Sequence, residues 1–468
     1  MARDIGPDAV TCSLYSMMYQ KLHKLTVLTV AVLSLALLPV VESAQAQRRG
    51  GLPLVRDAEI EALIKDYTAP LFRAAGLGRN SVDVFLLNRL EFNAFVTGTR
   101  MFINTGAIMQ AGTPNEVIGV FAHETGHIVG GHLTRLRQRL EQAQVLSVLG
   151  LLAGVGAAAA GSPQAGAAVA LGSQGALQRS LLSYQRDEEM AADREAVTIL
   201  NKTGQSGRGM LKTFKKLGQN PLFSSGRLDP YALSHPLPRE RIGLLQTVVQ
   251  SSPHYGKQDS PQLQQRHDLA RAKIAAYSGG AGLVRNLFGK QLNGLAGTYG
   301  IAVSHFLQGT PNQGLRMMDR LIRQQPSNPY FHEMKGEMLL RSGKASQAAK
   351  SFQKAVSLDK YQSGLLRIQL GHALLETNNA GNIDTAIRVL KEGIARDEYS
   401  SNGFGYLARA YAKKGNQPLA IAATAEQKFL QGRVKEAKQF AARAQPSLKR
   451  GSPQWLRLQD ILDFSPGT

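Results

Sequence analysis

The residues best suited to chemistry lie in the run His123-Glu124-Thr125-Gly126-His127. Apolar residues return every three or four positions over 114–139, which predicts a helix. Histidines four apart on a helix lie about 40° apart around its axis, so both imidazoles can bind one zinc ion. Glu124 can take a proton from a water that the metal acidifies and pass it to a leaving amine. The run therefore predicts a zinc-dependent endopeptidase.

A third metal ligand is needed beside the two histidines. The three-histidine form of the motif would place it where Leu133 stands, and His132 misses that position by one residue. On a continuous helix His132 is rotated about 140° from His127 and points away from the metal, so we expect a structural or supporting role. A helical acidic stretch offers Glu189 as the ligand, with Asp193 one turn later to orient a histidine. An ordinary solvated acidic face is the alternative interpretation.

The N-terminus has the features of an export signal. Residues 25–41 are uniformly apolar or small, follow Lys21 and Lys24, and precede Ala44-Gln45-Ala46, a site of the form that signal peptidase accepts. We therefore predict a cleaved signal peptide over 1–46 and a periplasmic location. An uncleaved anchor is the alternative, although the apolar run is slightly short for a full span.

Composition narrows the function classes. The single cysteine, Cys12, precedes the predicted cleavage site, which excludes a cysteine protease and a thiolate zinc site for the remainder. Residues 1–46 hold three basic and three acidic residues, so the remainder keeps the formal charge of +21. This charge favours peripheral contact with an anionic membrane. No nucleic-acid motif accompanies it, so we expect no nucleic-acid partner.

Two further patterns concern the helical parts of the chain. Residues 145–160 are apolar or small, break at 161–163 and resume at 167–171, which predicts a hydrophobic helical hairpin. A buried helix pair, and a mobile lid or membrane-touching element, are both open interpretations. Small residues recur at steps of 34, 35 and 37, which indicates about four tetratricopeptide repeats. These small residues are Ala302, Gly336, Gly371 and Ala408.

The predicted fold class is mainly α with a small β-sheet. An α+β HExxH metalloprotease domain over 47–260 is followed by a connecting helical segment over 261–298. An α-helical tetratricopeptide-repeat solenoid over 299–446 and a C-terminal tail over 447–468 complete the chain. Stacked repeats of this type form a concave peptide-binding surface.

These features together resemble the periplasmic β-barrel assembly-enhancing proteases, gluzincin-type zinc metalloproteases with C-terminal tetratricopeptide repeats. The resemblance spans nearly the whole chain after residue 46. It rests on the His123–His127 and Glu189-x-x-x-Asp193 helices, Asn93-Ala94-Phe95 before Ile103-Asn104-Thr105-Gly106, Ser234-His235-Pro236-Leu237-Pro238 with Arg241, and the repeats. One departure is the absence of cysteine after Cys12, because the relatives tend to carry a disulfide that braces the repeats.

The resemblance implies specific roles for these residues. One zinc ion per chain would be held by His123, His127 and Glu189, with Glu124 as the base. The strand over 95–103 would pair with an extended substrate, which makes cleavage tolerant of sequence.

The resemblance also implies a self-inhibited site. His235 would take the fourth zinc position at rest, and Arg241 would help to order the site. On physical grounds alone, a histidine before Pro-Leu-Pro is equally a packing residue or a donor to the tetrahedral oxyanion.

Two hypotheses of function follow from the sequence. The first is a periplasmic endopeptidase that degrades unfolded or misassembled outer-membrane proteins, with the repeats binding these clients or the β-barrel assembly machinery. The second is a chaperone or assembly factor whose protease site is largely self-inhibited.

Overall fold

The structure, a computed structural model, describes residues 52–78, 80–159, 162–218, 235–236 and 239–465. It confirms the predicted fold class, because a small sheet and its helices precede a stack of helical hairpins. The predicted signal peptide over 1–46 lies outside the described residues, as do Ser234, Leu237 and Pro238. The predicted domain limits remain predictions.

A four-stranded sheet has the strand order β1-β2-β4-β3. Its strands are β1 (Leu54–Val55), β2 (Asp83–Leu87), β3 (Ala94–Thr97) and β4 (Arg100–Asn104). β2 and β4 are parallel, whereas β3 runs antiparallel to β4 and β1 antiparallel to β2. The strand predicted over 95–103 is therefore two strands, of which β3 is an edge of the sheet within the described residues.

Three helices pack around this sheet. They are α1 (Ala58–Ala74), α2 (Thr105–Gln110) and α3 (Pro114–Gly130). The side chain of Asp57 caps α1 by accepting a hydrogen bond from the Ile60 N–H, which satisfies a backbone donor that the helix leaves unpaired. α1 buries Tyr67 and Leu71 completely and contacts α3, which carries the histidine motif.

The predicted hydrophobic hairpin is formed by α4 (His132–Ala159) and α5 (Pro163–Lys202), which contact each other. Arg135 pairs with Glu188, and Arg139 lies over the ring of Tyr184, so the two helices run in opposite directions. The interpretation as a buried pair is wrong for the described side chains, because most large apolar residues of α4 are exposed. No helix in the described part of the chain is long and apolar enough to cross a membrane.

Among the described residues, three helices link the hairpin to the repeats. They are α6 (Arg208–Gly218), α7 (Arg239–Gln250) and α8 (Pro261–Phe288). α8 bends at Gly280, where φ is 63°, a left-handed value that favours glycine. The buried face of α8 includes His267. Its Nε2–H donates to the Ala111 carbonyl, and its Nδ1 lies 2.9 Å from the Tyr67 hydroxyl. The helix thus packs directly on the core formed with α1 and α2.

The repeat region is a stack of antiparallel helix pairs. Its helices are α9 (Leu295–Leu307), α10 (Pro311–Gln324), α11 (Pro329–Arg341), α12 (Ala345–Leu358), α13 (Gly364–Glu376), α14 (Ile383–Ile394), α15 (Ser401–Lys413), α16 (Gln417–Leu430), α17 (Val434–Ala444) and α18 (Pro453–Asp463). A Cβ at Gly336 would meet the Phe352 ring at 3.0 Å, and one at Gly371 would meet Leu390 at 2.5 Å. The small residues of the repeat pattern therefore mark close helix crossings.

Ion pairs join the start of the described chain to the repeats. The fully buried ammonium of Lys273 on α8 lies 2.7 Å from Asp57 and 3.8 Å from Glu333 on α11. Arg56 pairs with Asp397 beyond α14 at 2.9 Å. One hydrophobic core also runs continuously from α1 to α14. The repeats are thus fixed to the region of the sheet by packing and by charge pairs.

Candidate active site

The metal-binding motif lies on a helix that glycines allow to pack closely. α3 ends because Gly131 is left-handed, with φ of 64°, and its N–H returns to the carbonyls of His127 and Ile128. A Cβ at Gly126 would meet the Ala192 carbonyl oxygen at 2.7 Å. This close approach brings α5, with Glu189 and Asp193, against the face of α3 that carries the histidines.

Four donor groups converge between α3 and α5. Nε2 of His123 and Nε2 of His127 lie 3.1 Å apart. The Glu189 carboxylate oxygens lie 3.3 Å and 3.4 Å from these two nitrogens. Nδ1 of His235 lies 2.9 Å from Glu189 and 3.4 Å from His123 Nε2. All four residues are buried, and they form a group able to hold a metal ion.

The spacing of these donors fits a tetrahedral ion. Ligands about 2.0–2.1 Å from zinc, at the tetrahedral angle, lie roughly 3.3 Å from one another. The distances between the donor atoms are within a few tenths of an ångström of that value. Two imidazoles and a carboxylate are also a donor set found in catalytic zinc sites. The residues therefore fit a metal ion of this kind.

A carboxylate and an arginine support His123 and Glu189. Asp193 lies 2.9 Å from Nδ1 of His123, so it can hold the proton of that nitrogen and leave Nε2 free for a metal. Arg241 contacts both oxygens of Asp193, at 2.6 Å and 2.9 Å. It also reaches Glu189 at 2.8 Å. The predicted site residues Asp193 and Arg241 thus meet one turn from the metal-ligand candidates.

His132 supports the other motif histidine. Nδ1 of His132 lies 2.8 Å from Nδ1 of His127, and its Nε2 lies 2.7 Å from Glu188. The prediction that His132 points away along a continuous helix is wrong in its premise, because Gly131 ends α3 and α4 starts in a new direction. His132 contacts Nδ1 of His127, the ring nitrogen outside the donor cluster, and is not itself among the four converging donors.

The charge state of each residue in the site depends on its burial and on the charged groups beside it. Burial opposes the charged form of His123, yet Asp193 and Glu189 together raise its pKa to about 9. Burial dominates at His127 and lowers its pKa to about 4. Burial also opposes ionisation of Glu189, but the neighbouring histidines hold the pKa of its carboxyl well below the usual range. The cluster therefore keeps Glu189 anionic.

Glu124 differs from the other carboxylates of the site. Both its oxygens are buried without a hydrogen bond from the described residues, and burial raises the pKa of the carboxyl. Nε2 of His235 lies 3.5 Å from one of these oxygens. A buried carboxylate with free acceptor positions beside a metal-ligand cluster is placed to accept a proton. The ring of His235 stands between Glu124 and the other donors.

The family comparison decides the class of the site. Residues 55–249 match the family model described as Peptidase family M48. They form an M48 peptidase domain. The chain is therefore a metalloprotease, and the converging group His123, His127, Glu189 and His235 lies within the M48 domain.

Similarity to curated relatives extends beyond the M48 domain. The chain is 26% identical over 433 residues to the "Beta-barrel assembly-enhancing protease" of Escherichia coli (strain K12), covering 89% of this chain and 85% of the relative. It is 25% identical over 426 residues to the protein of the same name from Yersinia pestis, with the same coverage of both chains. These matches include the repeat region as well as the M48 domain.

Solved structures resemble part of the helical region. The chain is 20% identical to MamA, covering 35% of this chain and 90% of that one at a TM-score of 0.28. For YrrB, titled a TPR protein with an unusual peptide-binding site, the identity is 16% and the coverage 37% and 89%, at a TM-score of 0.30.

Two contacts of the M48 domain were missed by reasoning from sequence. Phe214 on α6 meets the His123 ring edge-on at 5.3 Å and lies under the Arg241 guanidinium at 5.3 Å. A phenylalanine in an amphipathic helix carries no signal for this position. The contact of His132 with His127 was foreseeable, because Gly130-Gly131 is a helix stop signal that the apolar periodicity obscured.

Proposed function

We propose that this chain is a zinc endopeptidase of the periplasm that degrades misfolded or stalled outer-membrane proteins and assists their assembly. The observation that carries the proposal is the convergence of His123, His127 and Glu189 donor atoms beside the buried carboxylate of Glu124, whose oxygens accept no hydrogen bond from the described residues. The names of the relatives suggest the class of client. The predicted signal peptide over 1–46 supports the location.

Each residue of the site has a distinct task in this proposal. Zinc, when held by His123, His127 and Glu189, supplies a Lewis acid that acidifies water and polarises a peptide carbonyl. Glu124 accepts the proton of the attacking water and returns it to the leaving amine. Burial raises the pKa of the Glu124 carboxyl, which favours its uptake of a proton from the attacking water. Arg241 and Asp193 hold the ligands in position.

The substrate would bind in extended form along β3. This strand pairs with β4 on one side and is an edge of the sheet within the described residues, and it contacts α3, the helix of the histidine motif. An extended segment added to such an edge is held by backbone hydrogen bonds, which are the same for any sequence. Unfolded strands of β-barrel proteins suit this mode of binding.

His235 supports a second candidate function, that of a largely self-inhibited assembly factor. Its Nδ1 occupies the fourth position of the donor cluster, where a catalytic site keeps an open place for water. Displacement of His235 would then switch cleavage on. The helix pairs of the repeats would bind the client or the assembly machinery in both candidate functions.

The test uses the purified chain, its metal content and an unfolded β-barrel protein as substrate. We expect about one zinc per chain, retained in Glu124→Gln and lost in Glu189→Ala. Cleavage by Glu124→Gln should fall by at least about 100-fold, which is the usual contribution of a general base. Glu398→Gln, an exposed glutamate of the repeat region, is the control and should cleave normally.

His235→Ala separates the two candidates. Faster cleavage at unchanged metal content supports self-inhibition, whereas slower cleavage assigns His235 to the reaction itself. A wild-type chain that holds no metal, or a Glu189→Ala chain that keeps it fully, would contradict the assigned site. Full assembly activity of Glu124→Gln in cells would favour the chaperone candidate.

A further inference from the structure

The hairpin of α4 and α5 carries an uncharged segment that the peptidase reaction does not use. Residues 142–178 contain no Asp, Glu, Lys, Arg or His over 37 consecutive positions. The segment lies between the histidine motif on α3 and Glu189 on α5. A stretch of this length without charge is unusual for a helix surrounded by water.

The large apolar side chains that α4 contributes to this segment are exposed. Of the 21 large apolar residues that are exposed among those described, 11 lie between 129 and 182. Those of α4 beyond residue 142 are Val145, Leu146, Val148, Leu149, Leu151, Leu152 and Val155, each between 44% and 67% exposed. Exposed apolar residues scattered singly need no explanation, but such a concentration marks an interaction surface.

The distribution of these residues around α4 decides the kind of partner. At about 100° per residue, the seven side chains cover roughly 220° of the helix circumference. A protein groove covers one side of a helix and would leave part of this arc in water. A fluid apolar medium contacts the whole arc at once. The acyl chains of a lipid bilayer therefore fit this surface better than a protein groove does.

The charges beside the segment match a bilayer with anionic headgroups. Arg137, Arg139 and then Glu141 precede the segment on α4, and Arg179 follows it at once on α5, so basic residues outnumber acidic ones beside it. Arg137 and Arg179 are exposed, and no described acidic group pairs with either of them. Basic residues next to an apolar insertion are drawn to anionic lipids.

The length of α4 is sufficient for insertion into one leaflet. From 142 to 159, α4 is about 27 Å long, which exceeds the roughly 15 Å thickness of one leaflet's hydrocarbon, so the helix can reach the acyl chains.

We infer that the described parts of this segment, residues 142–159 and 162–178, form the two arms of a membrane-docking hairpin that inserts into one leaflet of an anionic phospholipid bilayer. The hairpin enters and returns on the same side, in agreement with the absence of a membrane-crossing helix among the described residues. Arg137 and Arg179 rest among the headgroups, and the apolar arc of α4 lies among the acyl chains. Binding to the bilayer does not depend on proteolysis, so it can be tested separately from the proposed reaction.

The test is sedimentation of the purified chain with vesicles of phosphatidylethanolamine and phosphatidylglycerol. Leu149→Asp combined with Leu152→Asp should weaken binding by at least about tenfold, because charged side chains would have to enter the apolar layer. Tyr399→Asp combined with Leu456→Asp is a matched control, since these apolar residues of the repeats are 62% and 50% exposed. Arg137→Gln combined with Arg179→Gln should weaken binding to these vesicles and leave the residual binding to phosphatidylcholine unchanged.

A fluorescence measurement locates the contact. The chain has one tryptophan, Trp455, so a Trp455→Phe chain is a dark background. Leu152→Trp in this background should shift its emission to the blue and be quenched by lipids brominated on their acyl chains. Tyr399→Trp in the same background should do neither.

Three results would overturn the inference. The first is a wild-type chain that does not sediment with either kind of vesicle, and the second is an indole at position 152 that acyl bromine does not quench. The third is a chain that ignores vesicles but forms a dimer which Leu149→Asp with Leu152→Asp dissociates. That result would make the hairpin an interface between two copies.

Discussion

The two ends of α5 belong to one helix of 40 residues and lie in opposite surroundings. At one end Glu189 and Asp193 are buried and ionised, and every charge meets a partner that holds it. At the other end the helix has no charge, and Leu171 is 71% exposed. The contrast shows that position along a helix does not determine environment. The neighbours of each segment do, and the same helix can therefore serve chemistry at one end and docking at the other.

Removing the arginine at the buried end should have the largest effect. Arg241→Ala leaves two buried carboxylates, Asp193 and Glu189, without their cation, which we expect to cost about 3–5 kcal/mol of unfolding free energy. Arg135→Ala, at the base of the hairpin, breaks a pair whose arginine side chain is 48% exposed and should cost no more than about 1 kcal/mol. Urea unfolding of both variants measures the difference. Equal losses would show that burial does not separate the two ion pairs.

The buried His267, whose hydrogen-bond partners are uncharged, provides a second comparison with the buried His123. Where His123 faces carboxylates and its pKa rises, His267 faces the Tyr67 hydroxyl and a backbone carbonyl, and burial lowers its pKa to about 4. The unfolded chain takes up this proton as the pH falls below about 6.5, but the folded chain does not. The unfolding free energy should therefore fall between pH 6.5 and pH 4, by on the order of 3 kcal/mol from this residue.

The measurement compares the pH dependence of unfolding in variants. His267→Gln cannot take up the proton, so its stability should fall less steeply with acid than that of the wild type. If the slopes of wild type and His267→Gln coincide, the histidine is not held neutral in the fold.

Glycine-to-alanine substitutions in the neighbouring helices α3 and α4 test how closely each end of α5 is packed, because each adds a single methyl group. In Gly126→Ala the new methyl group meets the Ala192 carbonyl oxygen at 2.7 Å, and we expect a cost of about 1–3 kcal/mol and weaker metal binding. A Cβ at Gly156 on α4 meets nothing within 4 Å, so Gly156→Ala should stabilise its helix by about 0.5–1 kcal/mol. Thermal unfolding and metal competition measure both. A destabilising Gly156→Ala would reveal a neighbour that covers this face.

The parts of the fold that follow local patterns could be predicted from the sequence. The helical period and the steps near 34 residues indicated the motif helix and the repeats, and the fold class is confirmed. The end of α3 was missed because apolar residues continue beyond Gly131 with the same period. The hairpin could be predicted as helical but not as exposed, since an apolar helix looks the same in sequence whether protein, lipid or water surrounds it.

The contacts that depend on distant parts of the chain could not be predicted. Nothing in the sequence around Lys273 indicates that it is buried against Asp57 and Glu333, which are far away along the chain. Phe214 reaches the site through the packing of α6 on α3, which no spacing encodes. The sequence predicts His123, His127 and Glu189 as a donor set, and the structure brings their donor atoms together.

The contact of His132 and Arg135 with Glu188 closes the chain between α4 and α5 into a loop with a fixed neck. These contacts and the close approach of Gly126 to Ala192 hold Glu189 near His127, so the residues beyond the neck can change in length or composition without altering that distance. The hairpin could therefore be replaced by a different segment without a change in the site. Related peptidases could therefore exchange one such part for another, and so be directed to different surfaces, while the reaction centre is left untouched.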